Sequence, residues 1–266
     1  MRPLFMLTYF KLSFEYFKRN LSGHMEYRVP FFVEVIGMII NNFAFVIVWV
    51  IFFAQFKQIR GWGLDEILLL NGLAGMYYGL LVTFMGGFMR IGRLISDGGL
   101  DYYLSFPKDP LWHIGAARMP ASALGEVAYG LITFSLSRYA TFEGWLVFIL
   151  VGILSAVIFS QFIVVIHSLN FFFFNAHETT QDIIWTTIGL AMMPQNVFEG
   201  AVKFLMFFVF PTLLIAGFPV QIIQNVSLES IFILAIITIT ITILAQTVFR
   251  YGLRRYESGN QIQANL

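Results

Sequence analysis

The feature that most limits the possible folds is a set of long, nearly uncharged apolar stretches. Several of them reach the roughly 20 residues that an α-helix needs to cross a hydrocarbon core about 30 Å thick. Of the 266 residues, 58% are hydrophobic and only 12% are charged, whereas an ordinary soluble domain carries about 25% charged residues. The sequence therefore predicts an all-α, polytopic integral membrane protein.

A transmembrane β-barrel would instead show segments of about 10 residues in which apolar and polar side chains alternate. Only residues 236–243 alternate in this way, and they lie inside a longer apolar run. An isolated strand in lipid would leave its backbone groups without hydrogen-bond partners. A helix is therefore predicted for this stretch as well.

Six transmembrane helices are predicted from the apolar stretches. They cover residues 30–53, 66–87, 119–137, 145–168, 198–218 and 230–249. The fifth is interrupted by Pro211, which lacks a backbone N–H in mid-helix. The apolar residues 219–229 that follow are predicted to form re-entrant elements or a loop on the outer side, where burial in protein is required.

An amphipathic helix is predicted ahead of the first span, over residues 4–21. Its apolar side chains recur at steps of three and four residues, with Lys11, Glu15, Lys18 and Arg19 between them. The apolar positions are Leu7, Phe10, Phe14, Phe17 and Leu21. Basic residues beside an aromatic face favour a helix that lies in the membrane interface. The alternative is a helix outside the membrane that packs on its own protein.

The distribution of Lys and Arg predicts the orientation, because basic residues are disfavoured in translocated loops. If both termini are cytoplasmic, only Lys57, Arg60, Arg138 and Lys203 of the 16 basic residues fall outside the cell or in a span. The same orientation places residues 88–113, a charged interruption between the second and third spans, in the cytoplasm. This interruption is interpreted as a docking surface.

Several kinds of chemistry are excluded or poorly supported. No glycine-rich phosphate loop followed by Lys and Ser or Thr is present, so ATP binding by that route is not expected. His177-Glu178 begins like a zinc-protease helix, but Gln181 stands where the second His is needed. The chain has no cysteine, and no Lys/Arg block is dense enough for nucleic acid. Neither a metal site nor a catalytic site is predicted.

The first predicted span carries Glu34 and, seven residues later on the same helix face, Asn41. Ionisable groups inside a span are expensive and often functional. One interpretation is a polar strip on a helix interface or substrate pathway. The other is that Glu34 lies at headgroup depth and pairs with a basic residue of the amino-terminal helix.

In the fourth predicted span Gln161 and His167 share a side of the helix with Ser160 and Ser168. They line a substrate route or bond to a neighbouring helix, and the second interpretation is favoured. Small residues at four-residue spacing occur in the second span, Gly75 and Gly79, and in the third, Ala121 and Gly125. Such pairs allow helices to approach closely, and packing within the chain is the favoured use.

Three sequence segments carry a resemblance to a known family. They are GGLDYYLSFPKDPL between spans two and three, MMPQNVFEG before the proline-containing fifth span, and GLRRYESGN after the last span. With six spans and an amphipathic amino-terminal helix, the chain resembles the membrane permeases of type-2 ATP-binding-cassette (ABC) exporters, and most of all the viologen and multidrug-export branch. Phe106 stands where the family often has a basic residue.

The resemblance implies a permease without enzymatic activity and without a cofactor of its own. Two permeases, identical or paralogous, would pair around a central path, with two copies of a cytosolic ATPase beneath them that bind ATP and Mg²⁺. The loop 88–113 would act as the coupling helix. The coupling residues would be Arg93, Asp97, Gly98, Gly99, Asp101, Leu104, Pro107, Lys108, Asp109, Pro110 and Leu111.

The sequence thus leads to an exporter permease in a bacterial cytoplasmic membrane that moves an amphiphilic or cationic small molecule, a lipid or a peptide outward. The alternative is a secondary transporter or channel that works alone. It predicts inverted repeats and charged residues at mid-membrane depth, for which Glu34 is the nearest candidate. A membrane enzyme acting on lipids is a weaker third hypothesis.

Overall fold

The computed structural model describes residues 3–173 and 176–256, in which helices are joined by turns and loops. The helices are α1 (Pro3–Glu26), α2 (Arg28–Gln55), α3 (Leu64–Met85), α4 (Ile91–Ser96), α5 (Leu100–Leu104), α6 (Pro110–Ala116), α7 (Ser122–Ser135), α8 (Phe142–Ser168), α9 (His177–Ala191), α10 (Gly200–Phe208), α11 (Phe218–Gln224) and α12 (Leu228–Leu253). The described residues form no strand, and the alternating stretch 236–243 lies within α12, as predicted.

Polar contacts between loops hold one end of the helix bundle together. Arg60 donates to the Glu199 carboxylate and, at 3.4 Å, to the backbone carbonyl of Asn196. The backbone N–H of Arg138 donates to Asp65 at 2.9 Å. We call this end the Arg60 end. It carries residues 56–63, 136–141 and 192–199.

The opposite end, which we call the α6 end, carries residues 86–121, 169–173 and 250–256. Arg250 of α12 donates to Asp109 at 3.2 Å, and His24 of α1 donates through Nε2 to the Met119 carbonyl at 2.7 Å. Tyr256, the last described residue, also lies here, against Phe171. Both ends of the described chain are therefore on one side of the bundle.

Within the described ranges, α2, α3, α7, α8, α9 and α12 connect the two ends. α9 begins beside α4, since a Cβ at Gly92 would lie 3.1 Å from His177 Nδ1, and the segment after α9 joins Arg60. α10 and α11 instead form a pair bent by 81°. The pair starts at the Arg60 end and leads directly into α12. Because α12 finishes at the α6 end, it begins at the Arg60 end. Both termini of the bent pair therefore lie at the Arg60 end.

Among the described residues, four helical segments are long and apolar enough to cross a membrane: Arg28–Gln55, Leu64–Ser96, Phe142–Phe171 and Leu228–Leu253. The bent pair makes a fifth if it is counted as one span. α7 and α9 have 14 and 15 residues, which is shorter than the roughly 20 residues a helix needs to span the hydrocarbon core. The chain is thus a multi-pass membrane protein with four or five candidate spans, compared with the six predicted.

The predicted fifth span, residues 198–218, is not one continuous helix, and the predicted outer segment, residues 219–229, is largely helical. The helix there breaks at Pro211 and continues through a π-helix, Leu213–Gly217, into α11 as far as Gln224. The helix that connects the two ends is α9, which was not predicted as a span. Its first two turns carry six polar or charged side chains, which lower the apolar signal on which span prediction depends.

α3 is the central helix, and glycines let α7 approach it closely. Of the most apolar 18 residues in the helical segment Leu64–Ser96, 83% are buried. A Cβ at Gly75 would lie 2.9 Å from the backbone of Gly130, and a Cβ at Gly72 would lie 2.9 Å from the backbone nitrogen of Phe134. Backbones at this separation leave no room for side chains between them.

The other small residues singled out in the sequence also pack within the chain. A Cβ at Gly79 of α3 would lie 2.7 Å from the backbone nitrogen of Val127 in α7, and one at Gly125 of α7 would lie 2.5 Å from the Val35 carbonyl oxygen in α2. α7 therefore holds α3 on one side and α2 on the other, which agrees with the favoured interpretation.

Replacement of Gly75 by alanine is expected to destabilise the chain by about 1–3 kcal/mol, because the added methyl group has no space between α3 and α7. The thermal unfolding midpoint of the purified chain in detergent measures this effect. Gly189→Ala in α9 is the matched control, since nothing lies within 4 Å of a Cβ there and alanine otherwise favours a helix. Equal midpoints for the two variants would contradict the close α3–α7 contact.

Candidate functional site

The candidate site is built on α6, whose start is fixed by local sequence. Asp109 caps the helix, because its Oδ1 accepts a hydrogen bond from the Leu111 N–H at 3.0 Å. Pro110 occupies the first turn, where its missing N–H costs nothing. Leu111, His113 and Ile114 are buried, so α6 is anchored in the bundle.

Asp109 also joins α6 to the last helix. Its Oδ2 accepts a hydrogen bond from Arg250 Nη2 at 3.2 Å. Because both side chains are substantially exposed, an ion pair of this kind contributes only about 0–1 kcal/mol. Its importance is positional, since it fixes the start of α6 against the end of α12.

A stripe of polar and aromatic side chains on α1 packs along α6. Trp112 Nε1 donates to Ser13 at 3.0 Å, and Tyr16 Oη lies 2.9 Å from His113 Nδ1. Asn20 donates to the Ala116 carbonyl at 3.4 Å. This stripe continues to His24.

The stripe was missed in the sequence because polar side chains form it. The apolar positions noted there have other surroundings. Phe17 packs against Phe84 with ring centroids 5.5 Å apart, and Phe14 is half exposed. The side chains of Leu7 and Phe10 lie outside the described part of the structure. At least one face of α1 therefore packs on its own protein.

Residues 97–107 form an exposed segment that we call the projection. Gly98 has a φ of +74°, a conformation that glycine adopts without strain, and it turns the chain from α4 into α5. Leu100 is fully buried beneath the projection, whereas Tyr102 and Leu104 are 66% and 40% exposed. Apolar side chains held outward on a short anchored helix are typical of a surface that binds another protein.

The projection is tied to its surroundings at both ends. Phe106 packs on the anchored His113 with ring centroids 4.8 Å apart. Asp101 lies beside Tyr256, and burial together with this carboxylate raises the pKa of Tyr256 to about 12. The tail motif of residues 252–260 is described only as far as Tyr256.

The structure separates the eleven predicted coupling residues into two groups. The exposed group lies on α4 and the projection, where Arg93 donates to Asp97 at 3.1 Å. It consists of Arg93, Asp97, Asp101, Leu104 and Pro107, with Gly98 and Gly99 in the turn between them. The anchoring group, Lys108, Asp109, Pro110 and Leu111, is partly or fully buried.

The residues that the sequence singled out for a substrate pathway or a helix interface do not form one cluster in the structure. Glu34 and Asn41 are exposed on α2, and neither has a hydrogen bond or ion pair among the described residues. Gln161 bonds only to the adjacent Ser160 at 3.1 Å. Pro211 is buried at the break between α10 and the π-helix.

His167 is fully buried where α8, α4 and α9 meet. Its Nδ1 lies 3.2 Å from Thr180 Oγ1, and Asn170 donates to the same hydroxyl at 3.1 Å. His167 therefore bonds to a neighbouring helix in this structure.

Among the polar contacts that were not predicted, two join distant parts of the chain away from α6. One is the pair of Arg60 and Glu199 that closes the Arg60 end. The other joins Asn42 of α2 to Glu126 of α7, with Nδ2 donating to Oε2 at 2.7 Å. The position of Glu126 inside the predicted third span was a signal for this contact. The described residues contain no group of three or more His, Asp or Glu side chains that could hold a metal ion.

A family model described as "ABC-2 family transporter protein" matches residues 39–260. The match includes the projection, α6 and all helices from α3 to α12, and it leaves out α1 and the first part of α2. Searches of the curated proteins and of the solved structures give no significant match.

Lowering the pH from 7.5 to 5.5 is expected to loosen the docking of α1 on α6. Burial, followed by the positive charge of Lys108, lowers the pKa of His113, and Asp109 opposes this effect. His113 therefore binds a proton more readily in the unfolded chain than in the folded chain. Its contribution to stability is fully present above a pH of about 6.5, the ordinary pKa of histidine, and is lost as the pH falls below that value. Hydrogen exchange of the α1 amides, corrected for the intrinsic rate and compared with α3, measures the loss of protection.

His113→Gln is the control variant, because glutamine can still bond to Tyr16 but does not titrate in this range. Protection of α1 in this variant should be the same at both pH values. Unchanged α1 protection in the unmodified chain would show that His113 does not control the contact.

Proposed function

Since the chain belongs to the ABC-2 family of transporter proteins, we propose that it is the transmembrane permease subunit of an ATP-driven exporter. Members of this family are membrane components of ABC transporters that do not themselves catalyse ATP hydrolysis. ATP and Mg²⁺ would bind to two copies of a cytosolic ATPase, a separate chain. The observation that carries this proposal is the exposed projection at the end of the bundle that also holds α1 and Tyr256.

The projection has the properties that a coupling element needs. Its outer surface offers Tyr102 and Leu104 to a partner, while Leu100 anchors it from below. α4 continues from α3 through a single 3₁₀ turn, Gly86–Arg90. Closure of the ATPases beneath it would thus be transmitted to the central helix as a rigid-body movement, which shifts the populations of inward-open and outward-open states.

We place the α6 end in the cytoplasm and the Arg60 end outside. This orientation follows from the Lys and Arg distribution, and it gives both termini a cytoplasmic location. Six segments would then cross the membrane: the four long helices, and α7 and α9, which are too short alone and would cross together with the residues that flank them. The bent pair α10 and α11 would be a re-entrant element from the outer side, and the burial of Thr212, Ile215 and Val220 supports this.

A second permease, identical or paralogous, is proposed to cover the outer face of α2. Of the most apolar 18 residues of this helix, only 6% are buried within the chain. Its exposed face carries Glu34 and Asn41 as well as Phe32, Val33 and Ile40. A polar group left in hydrocarbon without a partner costs about 1–3 kcal/mol by protein mutational data, so a protein surface is a better neighbour than lipid.

The proposed cargo is an amphiphilic or cationic small molecule, a lipid or a peptide, carried outward across a bacterial cytoplasmic membrane. The assignment to the viologen and multidrug-export branch rests on the GGLDYYLSFPKDPL and tail motifs. A transporter that works alone is the second candidate, because it requires an ionisable group inside the membrane and Glu126 lies within the proposed span α7. That candidate predicts transport by the purified chain without nucleotide or ATPase.

Leu104→Asp is expected to reduce co-purification of the co-expressed P-loop ATPase at least tenfold and to abolish substrate-stimulated hydrolysis. A charge would face the apolar groove of the partner, whereas the fold should persist because Leu104 is exposed. Leu136→Asp, an exposed leucine at the Arg60 end, is the matched control and should leave both measurements unchanged. Normal association and coupling in the Leu104 variant would overturn the assignment of the projection.

A photoreactive p-benzoylphenylalanine in place of Asn41 is expected to cross-link the chain to a second permease in membranes. The product should have the mass of two permeases, and mass spectrometry of the cross-linked peptide would identify the partner. The same group at Ile153, an exposed position on α8, should give no such product. Cross-links from neither position would show that α2 faces lipid.

A further inference from the structure

The contact between Asn42 and Glu126 places an ionisable group deep inside the bundle. Asn42 lies midway along the 28 residues of α2. On the other side of Glu126, a Cβ at Gly79 would lie 3.0 Å from Glu126 Cβ, and Gly79 lies in the second half of α3, six residues before its end at Met85. The contacts with α2 and α3 thus place this carboxyl inside the bundle, between its two ends.

Glu126 has no positively charged partner in the described part of the chain. Asn42 donates a hydrogen bond to its Oε2 at 2.7 Å, and the Glu126 side chain is only partly buried. An amide does not neutralise a carboxylate. One oxygen is therefore oriented by the protein, while the other is available to a further group.

Aromatic residues stand next to both of the positions that contact this carboxyl. Tyr77 and Tyr78 directly precede Gly79 in α3, and Phe43 directly follows Asn42 in α2. The Tyr129 ring packs edge-on against Phe43 of α2, with centroids 5.4 Å apart. An acidic group among aromatic rings is a suitable environment for an organic cation, since ring faces attract positive charge when water is excluded.

A purely structural role explains this arrangement less well. α2 and α7 are already brought together by Gly125, whose Cβ would lie 2.5 Å from the Val35 carbonyl oxygen and 2.9 Å from Met38 Cβ. A glutamine at position 126 would accept the same hydrogen bond from Asn42 without the cost of an ionisable group in a membrane span. The acidic function therefore calls for a ligand that uses it.

We propose that Glu126, oriented by Asn42, binds the positively charged group of an amphiphilic organic cation that the transporter carries. The partly exposed side chains of Tyr78 and Phe43 receive the apolar part of the same molecule. This inference rests on the proposed transport function, because it identifies the class of cargo.

Binding of tetraphenylphosphonium to the purified full-length chain in lipid nanodiscs tests the proposal. Equilibrium dialysis with radiolabelled ligand should show saturable binding, and Glu126→Gln should raise the dissociation constant at least tenfold. Glu143→Gln, at an exposed carboxyl in the first turn of α8, should bind as the unmodified chain does. Saturable binding with unchanged affinity in the Glu126 variant, or no saturable binding to the unmodified chain, overturns the proposal.

If Glu126→Gln fails to fold, labelling of the unmodified chain with dicyclohexylcarbodiimide decides the question. This apolar reagent modifies carboxyl groups in membrane spans, and tetraphenylphosphonium should protect Glu126 from it; full labelling in the presence of the cation overturns the proposal. Neither measurement involves nucleotide or ATPase. Failure of the cation site is thus distinguishable from failure of the coupling role, which the Leu104 variant reports.

Discussion

The close contact between α3 and α7 is the interaction on which the rest of the bundle depends. Lipid is as apolar as a leucine side chain, so helices in a membrane gain little from hydrophobic burial and associate through close packing and polar contacts. Gly75 and Gly130 bring the two backbones together. Gly125 on the same α7 then receives α2, and of the most apolar 18 residues of α2 only 6% are buried within the chain. The position of α2 is therefore set by a helix of only 14 residues, whose own position depends on α3.

The same central helix also determines how the projection can move. α3 passes through a 3₁₀ turn into α4, and the turn is tightly enclosed, since a Cβ at Gly87 would overlap the Ile114 carbonyl oxygen of α6. α6 is in turn fixed to α12 by Asp109 and Arg250. A force applied to the projection therefore reaches the most buried helix and the last helix together, without an intervening flexible loop. This arrangement favours movement of the bundle as packed bodies over local bending.

The helical class, the long spans and the shared side of the two chain ends could be predicted, because they depend on hydropathy and on charge distribution along the chain. The position of α9 could not be predicted, because its first turns are polar and give no apolar signal. The helix is nevertheless packed on its neighbours through the buried Ile184 and Ala191. The polar interruption between the second and third predicted spans could be found in the sequence, but its division into an exposed projection and a buried α6 depends on tertiary packing. Asn41 was selected by its spacing from Glu34, whereas Asn42, about 100° further around the helix, is the residue that meets Glu126.

These two adjacent asparagines give α2 two polar faces with different neighbours. Asn42 turns inward to Glu126, while Asn41 and Glu34 turn outward to the surface proposed for a second permease. α2 has few other contacts within its own chain, so a shift of the partner that moves α2 would also change the distance between Asn42 and Glu126. The orientation of the carboxyl, and with it the affinity for a cation, would then differ between the inward-open and outward-open states. A transporter requires such a difference, because a ligand shifts a conformational equilibrium only by its differential affinity for the two states.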